Sequence, residues 1–115
     1  MQKLEKVIKS IYETGGNDII VINVNAVNPL CSYYVICDAN NTTLTNAIAE
    51  NLEKDLKKHN IFVNHIEGRR NKEWVLVDID DIIVHIFFTP EREKYSLEEL
   101  WADQPIIDIR RLFNG

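Results

Sequence analysis

The stretch WVLVDIDDIIVHIFF at 74–88 constrains this chain more than any other. Two apolar runs flank Asp78, Asp80 and Asp81, the pattern of a strand, a polar turn and a second strand. Side chains alternate across a strand, so Trp74, Leu76 and Asp78 share one face, and Val75 and Val77 share the other. In the second run Ile82, Val84, Ile86 and Phe88 lie together, opposite Ile83, His85 and Phe87. Apolar residues on both faces place this strand in the middle of a sheet, covered from each side. His85 is therefore expected to be at least partly buried and hydrogen-bonded in the core. A ligand or acid–base role would need partners converging on its face.

The rest of the chain supplies the material for such a sheet. Leu4, Val7, Ile8, Ile11 and Tyr12 recur at helical spacing over 3–14, and Gly15-Gly16 stops that helix. DIIVINV (18–24) and YYVIC (33–37) read as strands on either side of the Asn28-Pro29 break. Asn41 and Thr42 are N-cap candidates for a helix reaching about residue 59, with Leu44, Ala47, Ile48, Leu52 and Leu56 as its apolar stripe. Residues 61–66 read as a third strand, followed by the polar connection EGRRNKE. Ser96-Leu97-Glu98-Glu99 fits a capping box opening a short helix with Leu97, Leu100 and Trp101, and an irregular tail starts at Pro105. The expectation is one α/β domain over residues 1–115, a mixed five-stranded sheet flanked by helices, with a parallel crossover through the long helix.

Chemistry is harder to find than a fold. If Ile79-Asp80 forms the two-residue hairpin loop, Asp78 and Asp81 stand opposite each other and could bind Mg²⁺ through oxygen. A phosphoryl-transfer site of that kind is usually completed by a Gly-rich loop or a cluster of cations, and Gly15-Gly16 has no such motif around it. Ser10, Ser32 and Ser96 lack a nucleophile elbow, and His59, His65 and His85 lack zinc-binding spacing with the cysteines. No catalytic residue, metal or cofactor is assigned. Cys31 and Cys37 are expected as reduced, structural thiols, which fits a reducing compartment. No apolar run approaches the ~20 residues of a membrane span, and the N-terminus lacks a continuous secretory core, so the expected location is the cytoplasm.

The formal net charge of −5 opposes direct nucleic-acid binding, which needs clustered Lys and Arg, and favours a basic protein partner. Trp74, Tyr95, Leu97, Leu100 and Trp101 are many large apolar side chains for one end of a small domain. They are read either as core or, in part, as an exposed docking patch rimmed by acids.

Together these segments resemble the ribosomal silencing factor family, also called Iojap-like. The resemblance rests on EWVLVD at 73–78 and DIIVHIF at 81–87, followed by YSLEELWAD at 95–103. YYVI at 33–36 and NAIAENLEKDL at 46–56 extend it upstream, and it covers roughly residues 4–108. The chain departs from the family pattern at Asp80, commonly Gly, and at Tyr33, usually Asp. It also departs at Ala39-Asn40-Asn41, where a Gly-Thr-Ser-like turn is usual, and at Leu44, frequently His or Gln. The resemblance implies a fold similar to nucleotidyltransferase domains, without an established transferase activity. It implies binding to a basic protein on the intersubunit face of the large ribosomal subunit, which blocks joining of the small subunit and represses translation under nutrient limitation. On that reading the partner-binding residues are Trp74, Leu76, Asp78, Asp81, Tyr95, Glu98 and Trp101, and a homodimer off the ribosome is a further expectation. The alternatives are a metal-dependent nucleotidyl or phosphoryl transferase using Asp78 and Asp81, and a generic protein-interaction module.

Overall fold

The computed structural model describes residues 2–111. Helix α1 (Gln2–Thr14) buries Leu4, Val7, Ile8 and Ile11 of the expected stripe, whereas Tyr12, also placed on it, stands 74% exposed at the stripe's edge. It ends at Gly15, whose φ of 109° suits glycine alone and whose N–H donates to the carbonyls of Ile11 and Tyr12. A Cβ on Gly16 would run into the Ile11 side chain, so both glycines are needed for the chain to fold back.

Strands β1 (Asn17–Asn23) and β2 (Tyr33–Ala39) pair antiparallel. Helix α2 (Thr42–Lys57) follows, capped by Asn41, whose Oδ1 accepts the Leu44 N–H at 2.7 Å. Then come β3 (His65–Glu67), β4 (Trp74–Ile79) and β5 (Ile82–Phe88), and after them α3 (Thr89–Tyr95), α4 (Leu97–Leu100) and β6 (Ile106–Ile107). The sheet order is β3-β4-β5-β2-β1-β6, with β2 and β5 parallel and the other neighbours antiparallel. The long connection through α2, β3 and β4 is what allows the parallel pair. β5 is central, as its apolar residues on both faces require.

The expected five strands are six, because Ile106-Ile107 of the apolar tail pairs with Val21 and Ile22 on the β1 edge. The third strand is shorter than its apolar run. Only residues 65–67 join the ladder, while Ile61 and Val63 pack into the helix-side core from an irregular segment. The hairpin loop is Asp80-Asp81, since Ile79 pairs with Ile82 and Asp78 with Ile83. The shift of one residue has a clear cause. Val75, Val77 and Ile79 all point at the helices and are fully buried, and a turn at Ile79 would have put that side chain in water. Asp80 takes the left-handed turn position at φ 59°. Asp78 and Asp81 are thus not a cross-strand pair.

Two apolar layers result. Helices α1 and α2 cover one face, over Val35, Cys37, Val75, Val77, Val84 and Ile86. The opposite face carries Ile22, Ile36 and Phe87 with the half-buried Tyr34, Trp74 and Ile83, and Val24, Cys31, Leu97 and Trp101 close over it together with the Tyr95 ring. Cys31 and Cys37 belong to different layers, on opposite sides of the sheet, and both are free thiols.

Candidate functional site

The site grows from strand alternation on the face without α1 and α2. Register aligns Trp74 with Phe87 and Asp38, Leu76 with His85 and Ile36, and Asp78 with Ile83 and Tyr34. Three cross-strand rows therefore stack aromatic, apolar and polar side chains side by side. The Trp74 ring lies 4.7 Å from the Tyr95 ring centroid, 4.9 Å from Phe87 and 5.9 Å from His85. Tyr34 bridges the other way, meeting His85 edge-on at 5.1 Å and Trp101 at 5.6 Å. Separations of this size are those at which aromatic pairs add stability beyond their buried area.

One hydrogen bond fixes the centre. Trp74 Nε1–H donates to His85 Nδ1 at 3.2 Å. In the neutral imidazole the proton is then on Nε2, which is buried and has no protein partner among the described residues. Burial pushes the His85 pKa from its ordinary 6.5 down to about 4, so the ring is neutral at physiological pH. The structural role expected for His85 is the one its geometry gives it, with the indole as its partner.

Of the seven residues read as partner-binding, the structure gathers four. Trp74, Tyr95 and Trp101 join one aromatic cluster, and Leu76 sits beside His85, half-buried in the same surface. Asp78 lies at the margin, its Oδ2 3.5 Å from His65 Nδ1 of the neighbouring strand. Asp81 is apart, in the β4–β5 turn, where it accepts a 2.9 Å hydrogen bond from Lys3 of α1. That bond, with burial opposing it, holds the Asp81 carboxyl below the usual carboxylate range. Glu98 turns inward to Arg92, 3.2 Å from its guanidinium. Among the described residues no three His, Cys, Asp or Glu side chains converge as a metal site.

The Ser96 capping box is not formed. Ser96 is the left-handed C-cap of α3 at φ 46°, its N–H donates to Arg92 O, and its hydroxyl donates back to Glu93 O at 2.7 Å. A residue already ending one helix cannot hold the extended N-cap geometry of the next. Sequence reasoning also missed α3, although Thr89-Pro90 is an ordinary helix-start signal. It missed Arg92 and Asp38 as well, for which no local signal exists.

Fold and site together define a mixed-sheet α/β protein whose organised surface is a shallow aromatic one beside carboxylates. The chain belongs to the family described as ribosomal silencing factor during starvation, whose model it matches over residues 1–114. The ribosomal silencing factor of Bacillus subtilis is 35% identical over 94 residues, 82% of this chain and 80% of that protein. A mouse protein named mitochondrial assembly of ribosomal large subunit protein 1 is 28% identical over 103 residues, 86% of this chain and 45% of its own length. The crystal structure of a Chromobacterium violaceum protein superposes with a TM-score of 0.85 at 26% identity, covering 88% of this chain and 84% of that one.

Proposed function

We propose that this chain silences ribosomes sterically. It docks its aromatic face on a basic protein of the intersubunit face of the large ribosomal subunit, and so keeps the small subunit from joining. The observation that carries the reading is Trp74. It is a large aromatic side chain on the sheet face that α1 and α2 leave uncovered, held in one orientation by His85 and Tyr95 and still half-buried rather than enclosed. Pre-set aromatic anchors of this kind carry most of the energy of protein interfaces. The net charge of −5 and the carboxylate of Asp78 at the margin suit a cationic partner.

Family membership supports the ribosomal part, and the name of the mouse relative refers to the large subunit. Asp78 and Asp81, the pair on which a transferase would depend, sit apart, Asp78 with its Oδ2 3.5 Å from His65 Nδ1 and Asp81 bonded to Lys3. The proposed action is therefore binding rather than catalysis, in the cytoplasm.

The test is co-sedimentation with purified large subunits, followed by addition of small subunits. The expected result is stoichiometric binding to large subunits and a fall in assembled ribosomes that tracks occupancy. Joining at an undiminished rate under a saturating excess of the protein would refute the reading.

A further inference from the structure

Arg92 is the most enclosed cation described in this chain, and its side chain links α3 to β2 and α4, with a longer 3.4 Å contact from Nη1 to the Asn17 carbonyl of β1. Its Nη1 lies 2.8 Å from Asp38 Oδ2 of β2, and its Nε and Nη2 lie 3.3 and 3.2 Å from Glu98 Oε2 of α4. The other Asp38 oxygen accepts the Thr89 hydroxyl at 3.0 Å. Asp38 and Arg92 are only 4% and 7% exposed. Thr89 and Arg92, three positions apart, lie on one side of α3, so a single carboxylate grips the helix at two points and sets its rotation.

That rotation decides where Tyr95 goes. Tyr95 follows Arg92 by three residues, and its ring rests on Trp74 at 4.7 Å and on Phe87 at 6.1 Å. Asp38 belongs to the same cross-strand row as Phe87 and Trp74. The Glu98 arm meanwhile holds α4, which carries Leu97, with Trp101 directly following, over Tyr34. The ion network thus stands behind the aromatic surface and fixes the wall against which Trp74 is braced.

We propose that Arg92, with Asp38 and Glu98, is a positioning network for the docking surface, and that Glu98 acts through Arg92 rather than on the partner. The proposal rests on the docking role assigned above to Trp74. Buried ion pairs contribute little net stability compared with apolar groups of similar volume, whereas their geometry is directional. Replacing the whole pair therefore separates position from stability. In Asp38→Leu/Arg92→Met, the Thr89 hydroxyl turns its proton to the Ala39 carbonyl, already at 3.0 Å. Glu98, about a third exposed, turns to water, and the Asn17 carbonyl loses only a long 3.4 Å contact.

The experiment measures affinity for large subunits, thermal unfolding and the near-ultraviolet circular dichroism of the aromatic rings. It compares wild type, Asp38→Leu/Arg92→Met, Glu98→Gln and the combined triple variant. The expected double variant melts near wild type, has altered aromatic dichroism and binds ~tenfold more weakly. Glu98→Gln weakens binding in the wild-type background and adds nothing in the double variant. Wild-type affinity in a folded double variant overturns the proposal, as does an equal Glu98→Gln loss in both backgrounds, which would put Glu98 on the partner. If the double variant does not fold, Arg92→Lys takes its place. It keeps the charge but not the fork that spans two carboxylates, and unchanged affinity there is equally decisive. Should wild type itself fail to bind subunits, the docking role falls. The aromatic dichroism of Arg92→Lys then decides positioning alone, and an unaltered spectrum overturns it.

Discussion

The two faces of this sheet are built from the same strands and solved differently. Beneath α1 and α2 the side chains are mostly Val, Ile and Leu with zero or near-zero exposure, hydrocarbon held chiefly by shape. Across the sheet aliphatic side chains are joined by rings, several with polar handles, tied by a Trp–His hydrogen bond and a buried Arg–Asp pair, and left partly open. The first arrangement maximises area removed from water. The second gives up some of that area to hold particular atoms at particular places, the property the proposed docking role requires.

Truncation under the helices should show the largest effect. Leu52→Ala empties a fully buried position in α2 and is expected to cost ~2–5 kcal/mol of unfolding free energy, read by chemical denaturation. The folded fraction should bind subunits as wild type does. A binding defect at constant folding would show that the two faces are coupled.

On the other face, pH is the lever. The folded His85 pKa, about 4, lies below its ordinary 6.5, so protonation favours the unfolded chain. The contribution of neutral His85 is complete above about pH 6.5, falls as pH drops from there to about 4, and is gone below. Its size is ~3 kcal/mol, from the rule that one pKa unit is worth about 1.4 kcal/mol. His85→Phe should flatten the stability profile between those limits, and an unchanged slope would mean that other groups produce it.

Trp74→Ala is expected to leave circular dichroism native in the far ultraviolet and weaken subunit binding by ~2 kcal/mol, about thirtyfold. A folded variant with wild-type affinity would move the anchor elsewhere. The smallest effect belongs to Asp81→Asn. The Lys3 pair is exposed enough that its loss should change stability by no more than ~0.5 kcal/mol. Because Asp81 lies in the turn, away from the aromatic rings, binding should hardly change. A loss of several-fold in affinity would bring Asp81 back to the partner.

Sequence reasoning read much of this correctly where the signal was periodic. The stripes of α1, apart from the exposed Tyr12, and of α2, the alternation in β4 and β5, the central position of β5 and the place of Trp74, Tyr95 and Trp101 near one another were legible, the last with help from family resemblance. Local rules failed where one residue had two claimants. Ser96 satisfied the capping-box pattern and ended α3 instead.

What the sequence determined by itself was burial. A hydrophobic side chain every second or every third to fourth residue admits few arrangements, because each mismatch leaves apolar surface in water. What only the tertiary structure decided was charge. Asp81 faces Lys3, Glu98 faces Arg92 and Asp38 lies under α3, over sequence separations of 78, 6 and 54 residues. Coulombic partners are chosen by distance in space, and no periodicity along a chain encodes that.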